Sequence, residues 1–385
     1  MNTLVYLDNN ATTKIDPRVF HKQCFVLNKC FGNPSSLYPI GVEAKTIITD
    51  ARKKIASLIN ADLKNGDQIV FNSCATEGNN SVLHSVLHEN TQQKHIIVSA
   101  VEHPSVLSTV EFYKKKGCKV TYVGVNYDGT LKEKELFSAI TENTVLISIM
   151  HVNSETGVIF NIQELVQKIR GINNKILIHT DAVQAVGKIA IDVQKLGVDF
   201  LTLSGHKFHA PKGVGVLYIR AGTNFDSFLL GGHQEYDLRA GTENVASIAA
   251  IGEAAVIAEK RINNADIKPI EMLRNKMEVL LSENFPDSII YGKQTQRVAT
   301  TTNIGFRNIN GDKLLLQLAK HNICVSSGTA CNSINSEPSK VLISMDAPKD
   351  YIRSIRISMS YETSEEDVFL LIKALKEILK KEGKI

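Results

Sequence analysis

Lys207, Asp181 and Thr76 each stand just past a short β-branched run, and their types suggest one chemistry. Cys74-Ala75-Thr76-Glu77-Gly78 follows IVFNS (69–73) and opens a helical pattern. Val101-Glu102-His103 follows HIIVSA (95–100), and Asn153 closes TVLISIMHVN (144–153). Asp181 and Gln184 follow 176–180, and Ser204-Gly205-His206-Lys207 follows 200–203. In open α/β sheets ligands bind beyond the carboxyl ends of the strands, so these residues are expected at one edge. Thr76 at a helix start offers a hydroxyl and backbone N–H groups to a phosphate. A desolvated Lys207 could form a Schiff base. Asp181 could keep a pyridinium nitrogen protonated. In isolation Lys207 reads as a surface lysine and Asp181 as a helix cap. Together they supply the phosphate cup, Schiff-base lysine and ring carboxylate that pyridoxal 5′-phosphate requires. Neither G-x-x-x-x-G-K-[ST] nor a strand-linked G-x-G-x-x-G occurs, which argues against a nucleotide phosphate loop.

These residues need a sheet to align them. Seven runs read as strands: 69–73, 95–100, 119–125, 144–153, 176–182, 200–205 and 214–220. Amphipathic stretches at 41–59, 77–89, 104–116, 131–140 and 161–170 alternate with the earlier ones. Several runs are apolar on both faces, as expected when helices cover both sides of a mostly parallel sheet. The segment between 205 and 214 is too short for a helical crossover, so an antiparallel strand is expected there. After residue 222 a Gly-rich loop, GGHQEYDLRAGT, leads into an Ala-rich helix near 243–261 and another at 268–284. Shorter pieces follow: TTNIGFRN, a helix at 311–321, ICVSS, SIRISM and a terminal helix from about 364. The expected architecture is α/β: a large domain (14–256) with a mixed, mostly parallel seven-stranded sheet covered by helices. A smaller α+β domain (1–13 and 257–385) completes it.

Composition narrows the class. With 43% hydrophobic and 22% charged residues the chain is globular, and a net charge of +4 over 385 residues does not suggest a nucleic-acid partner. No apolar run approaches a membrane span, and MNTLVYLDNN has no basic n-region, so a cytoplasmic location is expected. The six cysteines are scattered without a C-x-x-C pair, which suits a reducing compartment and argues against a zinc site. Cys24, Cys30, Cys74, Cys118 and Cys324 read as small buried hydrophobes. Cys331 differs. Its neighbours, Ser326-Ser327-Gly328-Thr329-Ala330, are small and polar, with Gly328 supplying flexibility.

Motifs spread nearly end to end carry a resemblance: YLDNNATT (6–13), FGNPSS (31–36), ATEGNN (75–80), EHPSV (102–106), HVNSETG (151–157), HTDAVQAVGK (179–188), SGHKFHAPKGVG (204–215), RAGTENV (239–245), SSGTACNS (326–333) and SIRIS (354–358). The sequence resembles the cysteine desulfurases of the NifS/IscS group, within the class V aminotransferase family of fold-type I pyridoxal-phosphate enzymes. HTDAVQ followed by SGHK at this spacing is specific, and SSGTACNS marks the branch.

The resemblance implies roles. Lys207 is the Schiff-base lysine, Asp181 the pyridinium partner, and Gln184 a neighbour of the ring hydroxyl. His103 stacks on the ring and shuttles protons. Ala75, Thr76, Ser204 and His206 line the phosphate site, with Thr242 arriving from a second subunit of a homodimer. Asn153 and Arg356 hold the substrate carboxylate. Cys331 takes sulfur from L-cysteine as a persulfide, releasing alanine, and passes it to an acceptor such as an iron–sulfur scaffold. No metal is implied. A selenocysteine or cystine lyase, or a small-amino-acid aminotransferase, is the alternative on the same cofactor. Two departures stand out: Ser360-Tyr361-Glu362 replaces a stretch in which many relatives carry an arginine, and the chain ends at Ile385, short of the extension that housekeeping relatives use to contact a scaffold. His21, His84 and His209 have no matching role and read as packing or surface residues.

Overall fold

A computed structural model describes residues 4–327 and 338–382. Among these, β1 (Val5–Tyr6) precedes the strands of the main sheet: β2 (Gln68–Asn72), β3 (His95–Ser99), β4 (Lys119–Val123), β5 (Thr144–Ser148), β6 (Leu177–Asp181), β7 (Phe200–Ser204) and β8 (Gly215–Ile219). All seven expected strands form. Their spatial order is β2-β8-β7-β6-β5-β3-β4. The pairs among β3, β4, β5, β6 and β7 are parallel, whereas β8 runs antiparallel to both β7 and β2. The short 205–214 connection therefore returns the chain as expected. The carboxyl ends of β2, β3, β5, β6 and β7 share one edge, together with the start of β8.

Helices cover both faces. Val82, Leu83, Val86 and Leu87 of the helix Ala75–Leu87, with Val106 and Val110 of Pro104–Lys115, pack against Val70, Val98 and Leu146. On the other face Ile48 and Ile55 of Pro39–Ile59, Leu165 of Ile162–Ile172 and Ile251 of Val245–Asn263 pack around Ile69, Ile147 and Leu201. Strands buried on both sides explain why their runs are apolar throughout.

The remaining strands are β9 (Ser288–Tyr291), β10 (Thr301–Phe306), β11 (Ile323–Cys324), β12 (Ser326–Ser327) and β13 (Ile355–Ser358). An antiparallel four-stranded sheet runs β12-β13-β10-β9, and β1 pairs in parallel with β11. Val5 and Leu7 share a second core with Ile304, Ile355, Leu371 and Leu375. The last two lie on the terminal helix Glu365–Lys381, which starts at a Ser364–Asp367 capping box.

Three local expectations are corrected. The helix Pro17–Lys29, capped by the Asp16 side chain, was not expected. The run 144–153 is strand only to Ser148, because the Met150 N–H turns to the Glu102 carboxylate (2.7 Å) instead of continuing the ladder. Among the described cysteines only Cys30 and Cys118 are buried; Cys24 is exposed on Pro17–Lys29, and Cys74 and Cys324 are half-buried. Cys74 caps a helix at the sheet edge, and Cys324 sits on a two-residue strand, where little covers them.

Candidate active site

Backbone approach sets the position of Ala75 and Thr76. Gly215 lies between Asn72 on one neighbouring strand and Ser204 on the other. A Cβ there would stand 2.5 Å from the Asn72 Oδ1 and 2.8 Å from the Cys74 carbonyl carbon. Only glycine lets the start of helix Ala75–Leu87 close onto the sheet here. Gly78, one turn on, meets the Thr202 side chain of β7 in the same way, at 2.8 Å from Cγ2. Thr76, Ser204 and His206 thus converge on one edge. Burial, with Lys207 and Lys212 adding to it, pushes the His206 imidazole down to about 4, and its Nδ1 lies 3.1 Å from the Thr12 hydroxyl.

Asp181 ends β6, buried. Its Oδ2 accepts from the Asn79 side-chain amide (2.8 Å) and its Oδ1 from the Val183 N–H (3.0 Å). Among the described residues it makes no ion pair, and Lys207 and His103 act on it only through space. Asn79 also donates to the Ser105 hydroxyl at 2.9 Å. Ser105 in turn meets His103 Nδ1 at 2.8 Å, and the Ser105 backbone N–H donates to that nitrogen (3.1 Å). Because Nδ1 accepts, a neutral His103 carries its proton on Nε2. Burial keeps that imidazole below its ordinary range and Lys207 adds to this, while Asp181 pulls the other way.

Lys207 donates to the backbone carbonyls of Asn10 (2.7 Å) and Ala11 (2.8 Å). Desolvation lowers its pKa to about 8; Arg356 adds to the shift, and Asp181 and Asp8 oppose it. Asn10, in the N-terminal YLDNNATT stretch, is buried and binds on every side. Its N–H donates to the Ser358 hydroxyl (2.9 Å), its amide to Thr301 Oγ1 (2.9 Å) and the Ser154 carbonyl (3.1 Å), and its carbonyl accepts from Gln184 Nε2 (2.9 Å). Its Oδ1 accepts from Lys188 Nζ (2.7 Å).

Arg356 on β13 is buried and donates to Asp8 (2.8 Å) and the Ser154 carbonyl (3.2 Å), while its Nε has no partner among the described residues. Asn153 Oδ1 accepts from the Glu155 and Thr156 N–H groups (3.0 Å each), while its Nδ2 donates to the Met150 sulfur at 3.6 Å, a weak acceptor. Thr242 is exposed on the loop before Val245–Asn263. That loop is tied down by Arg239, which donates to Glu77 at 2.8 Å. Cys331 lies outside the described residues. The flanks that carry it do not: Ser326 pairs with Arg356 across β12 and β13, and the Ser339 hydroxyl donates to Glu155.

A class-V aminotransferase family model matches residues 5–371. The chain belongs to that family. It is 43% identical over 380 residues to a cysteine desulfurase of Trichormus azollae, covering 98% of this chain and 94% of the relative. The cysteine desulfurase NifS of Azotobacter vinelandii is 39% identical, with 97% and 92% covered. The X-ray structure of a NifS-like protein from Rickettsia africae superposes with a TM-score of 0.88 at 32% identity, covering 98% of this chain and all of that one. The family uses pyridoxal 5′-phosphate, and the residues present fit it. A buried carboxylate without a cationic partner suits a pyridinium N–H, a desolvated primary amine suits an aldehyde, and a helix start with flanking hydroxyls suits a phosphate. No group of three or more His, Cys, Asp or Glu among the described residues is arranged to hold a metal.

Asn10, Asn79, Ser105, Asp8 and Lys188 escaped the sequence reading. All five lie within stretches that carry the resemblance, yet an Asn or Ser near a turn reads first as a cap.

Proposed function

We propose that this chain is a cysteine desulfurase that converts L-cysteine to L-alanine and leaves the sulfur as a persulfide on Cys331. What carries the reading is the half-buried Lys207 and the buried Asp181 on the edge of a family sheet, joined by Asn10 and Asn79 to the rest of the site. When bound, pyridoxal phosphate supplies an electron sink for the bond broken at the substrate Cα. Lys207 would hold its aldehyde carbon, Asp181 its ring nitrogen, and Thr76, Ser204, His206 and the backbone at Ala75 its phosphate. Arg356 and the Asn153 amide would orient the substrate carboxylate, since a guanidinium fork matches a carboxylate. For that, Arg356 must share its donors with Asp8. Lys207, neutral for half the molecules near pH 8, can take a proton from the substrate, and His103 Nε2 is a second proton carrier.

Cys331 supplies the step that separates this reaction from transamination. Its thiolate attacks the substrate sulfur: a S–S bond forms, the Cβ–S bond breaks, and its electron pair ends in a new C–H bond of alanine. Cys331–SH plus cysteine thus become Cys331–S–SH plus alanine. No outside oxidant is needed.

A homodimer completes the proposal, with Thr242 serving the other subunit's phosphate site. Phe25, Phe31, Leu37, Leu230 and Tyr236 are all more than half exposed and support such an interface. The free thiols support a reducing, cytoplasmic setting, and a protein such as an iron–sulfur scaffold would accept the sulfur. Division into 14–256 and 1–13 plus 257–385 is supported by the separate core that Val5 and Leu7 share with β10 and β13.

The test is Cys331→Ser. Alanine release should fall by several orders of magnitude, because a hydroxyl is a far poorer attacker of sulfur than a thiolate. Brief exposure of the wild type to L-cysteine should add one sulfur to the peptide containing Cys331, read by mass spectrometry. Undiminished alanine release from Cys331→Ser would overturn the reading in favour of a lyase.

A further inference from the structure

Lys188 is a buried amine with no acidic partner among the described residues. Its Nζ meets two oxygens, Asn10 Oδ1 and Gln184 Oε1. Burial drives its pKa well below the ordinary lysine value, and the nearby Lys207 and Arg356 add to the effect. Two acceptors thus receive its N–H donors, and neither is a carboxylate. The contacts fix a direction. With the Gln184 carbonyl oxygen held by Lys188, its NH2 group faces the Asn10 carbonyl, which is also the seat of Lys207. If the amide turned over, an oxygen would replace a donor at the Asn10 carbonyl, adding negative potential at the oxygen that receives Lys207 and favouring its charged form.

We propose that Lys188 is a positioning residue that locks the Gln184 amide with its NH2 toward the Lys207 site and steadies Asn10 beneath Lys207. Lys188 touches neither substrate nor cofactor in this role. It acts through Gln184 and Asn10, keeping a donor rather than an acceptor beside the reactive amine. The charged and titratable groups facing Lys207 are Arg356, Asp181 and Asp8, together with His103, His206 and Lys188 itself. A midpoint that moves only while the Gln184 amide is present therefore reports the amide. The inference rests on the proposed function only in taking Lys207 as the reactive amine.

The test uses the full-length chain, stripped of cofactor, and reads acetic anhydride labelling of Lys207 against pH by peptide mass spectrometry. The wild-type midpoint is expected near 8. Lys188→Met should raise it by about one pH unit. In a Gln184→Met background, where no amide remains to turn, the same substitution should add nothing further. On the cofactor-loaded chain, the visible-band titration should move in the same direction. A Lys188→Met variant that melts lower but keeps the wild-type midpoint would reduce Lys188 to a packing role and overturn the proposal. Shifts that add in the double variant would overturn it too, since Lys188 would then act by another route. Should Lys188→Met fold poorly, Lys188→Gln, which keeps a buried NH2 donor, must hold the midpoint nearer the wild type than Lys188→Ala does; equal shifts would count against the lock. Labelling needs neither L-cysteine nor Cys331, so failure here is distinct from failure of the desulfurase reading.

Discussion

Asp181 sits in a buried position where an amide and a backbone N–H donate to it, with Lys207 and His103 acting through space. Removing the charge while keeping the shape is therefore a clean probe. Asp181→Asn should leave the fold intact and lower alanine release by roughly a hundredfold or more, because a charge placed to stabilise developing charge acts strongly in a dry site. Steady-state kinetics with a melting curve as control would check it. Asn79→Ala should behave differently. It strips a donor from a buried carboxylate and costs about 1–3 kcal/mol of stability, measurable by denaturant titration. Its own Oδ1 is already unpartnered, so only the donor side of the amide is lost.

Elements are joined at the site edge by close contacts and one buried ion pair. Arg52 of the helix Pro39–Ile59 makes a two-pronged bond to Glu235, at 2.7 Å on each arm, and its guanidinium lies between the rings of Phe71 and Tyr236. Glu235 also accepts from the Phe71 N–H of β2 (2.8 Å). Glu235, Tyr236 and Asp237 all have left-handed φ, at 44°, 60° and 66°, a conformation that costs side-chain-bearing residues energy. The ion pair is what holds this turn against the sheet. Glu235→Ala would leave a buried guanidinium uncompensated and should cost about 3–5 kcal/mol, read as a lower denaturant midpoint. Gly215→Ala acts one residue further along β2, at Asn72. Its methyl would push Cys74 and the start of helix Ala75–Leu87 away from Ser204, so cofactor affinity should fall more than stability does. Fluorescence titration of the stripped protein with pyridoxal phosphate would show it.

At the scale of the whole molecule, burial of neutral histidines and exposure of apolar side chains both have measurable consequences. His179 is fully enclosed on β6, between the Ser148 hydroxyl (2.8 Å) and the Thr202 hydroxyl (3.1 Å), and burial pushes its pKa down to about 3. Its unfolded value is 6.5. Between those values the unfolded chain binds the proton and the folded one does not, so stability rises with pH through that window and falls on acidification. One such group contributes a slope of up to about 1.4 kcal/mol per pH unit. His179→Gln should make the acid limb of a stability-against-pH curve shallower by about that amount, even if the variant is less stable throughout. Glu102, pushed up to about 8 by burial, opposes the trend between 4.5 and 8 in both proteins and cancels in the comparison. For the proposed dimer, Phe31→Asp with Leu37→Asp should shift sedimentation toward monomer and reduce activity together, because Thr242 would lose the site it serves. A dimer undisturbed by both changes would place the interface elsewhere.

The sequence by itself determined the seven strands and the residues at their ends. β-branched runs bounded by polar turns follow from local geometry, and a parallel sheet puts its strand ends on one edge. Lys207, Asp181, His103 and Thr76 stood out for that reason, each lying at or within a few residues of a strand's carboxyl end. Tertiary structure alone decided what each of them touches. Asn10 reaches Lys207 and Lys188 from far away in the chain, and an asparagine's local signal is a turn. The helix Pro17–Lys29 stayed hidden because Phe20, Phe25 and Leu27 are exposed while only Val19 and Val26 are buried, which blurs the apolar stripe that marks a surface helix. The lysine at 188 looks like a solvated charge in sequence. Only the closing of the N-terminal segment over it turns it into a buried amine, because desolvation depends on the whole fold and not on neighbours in the chain.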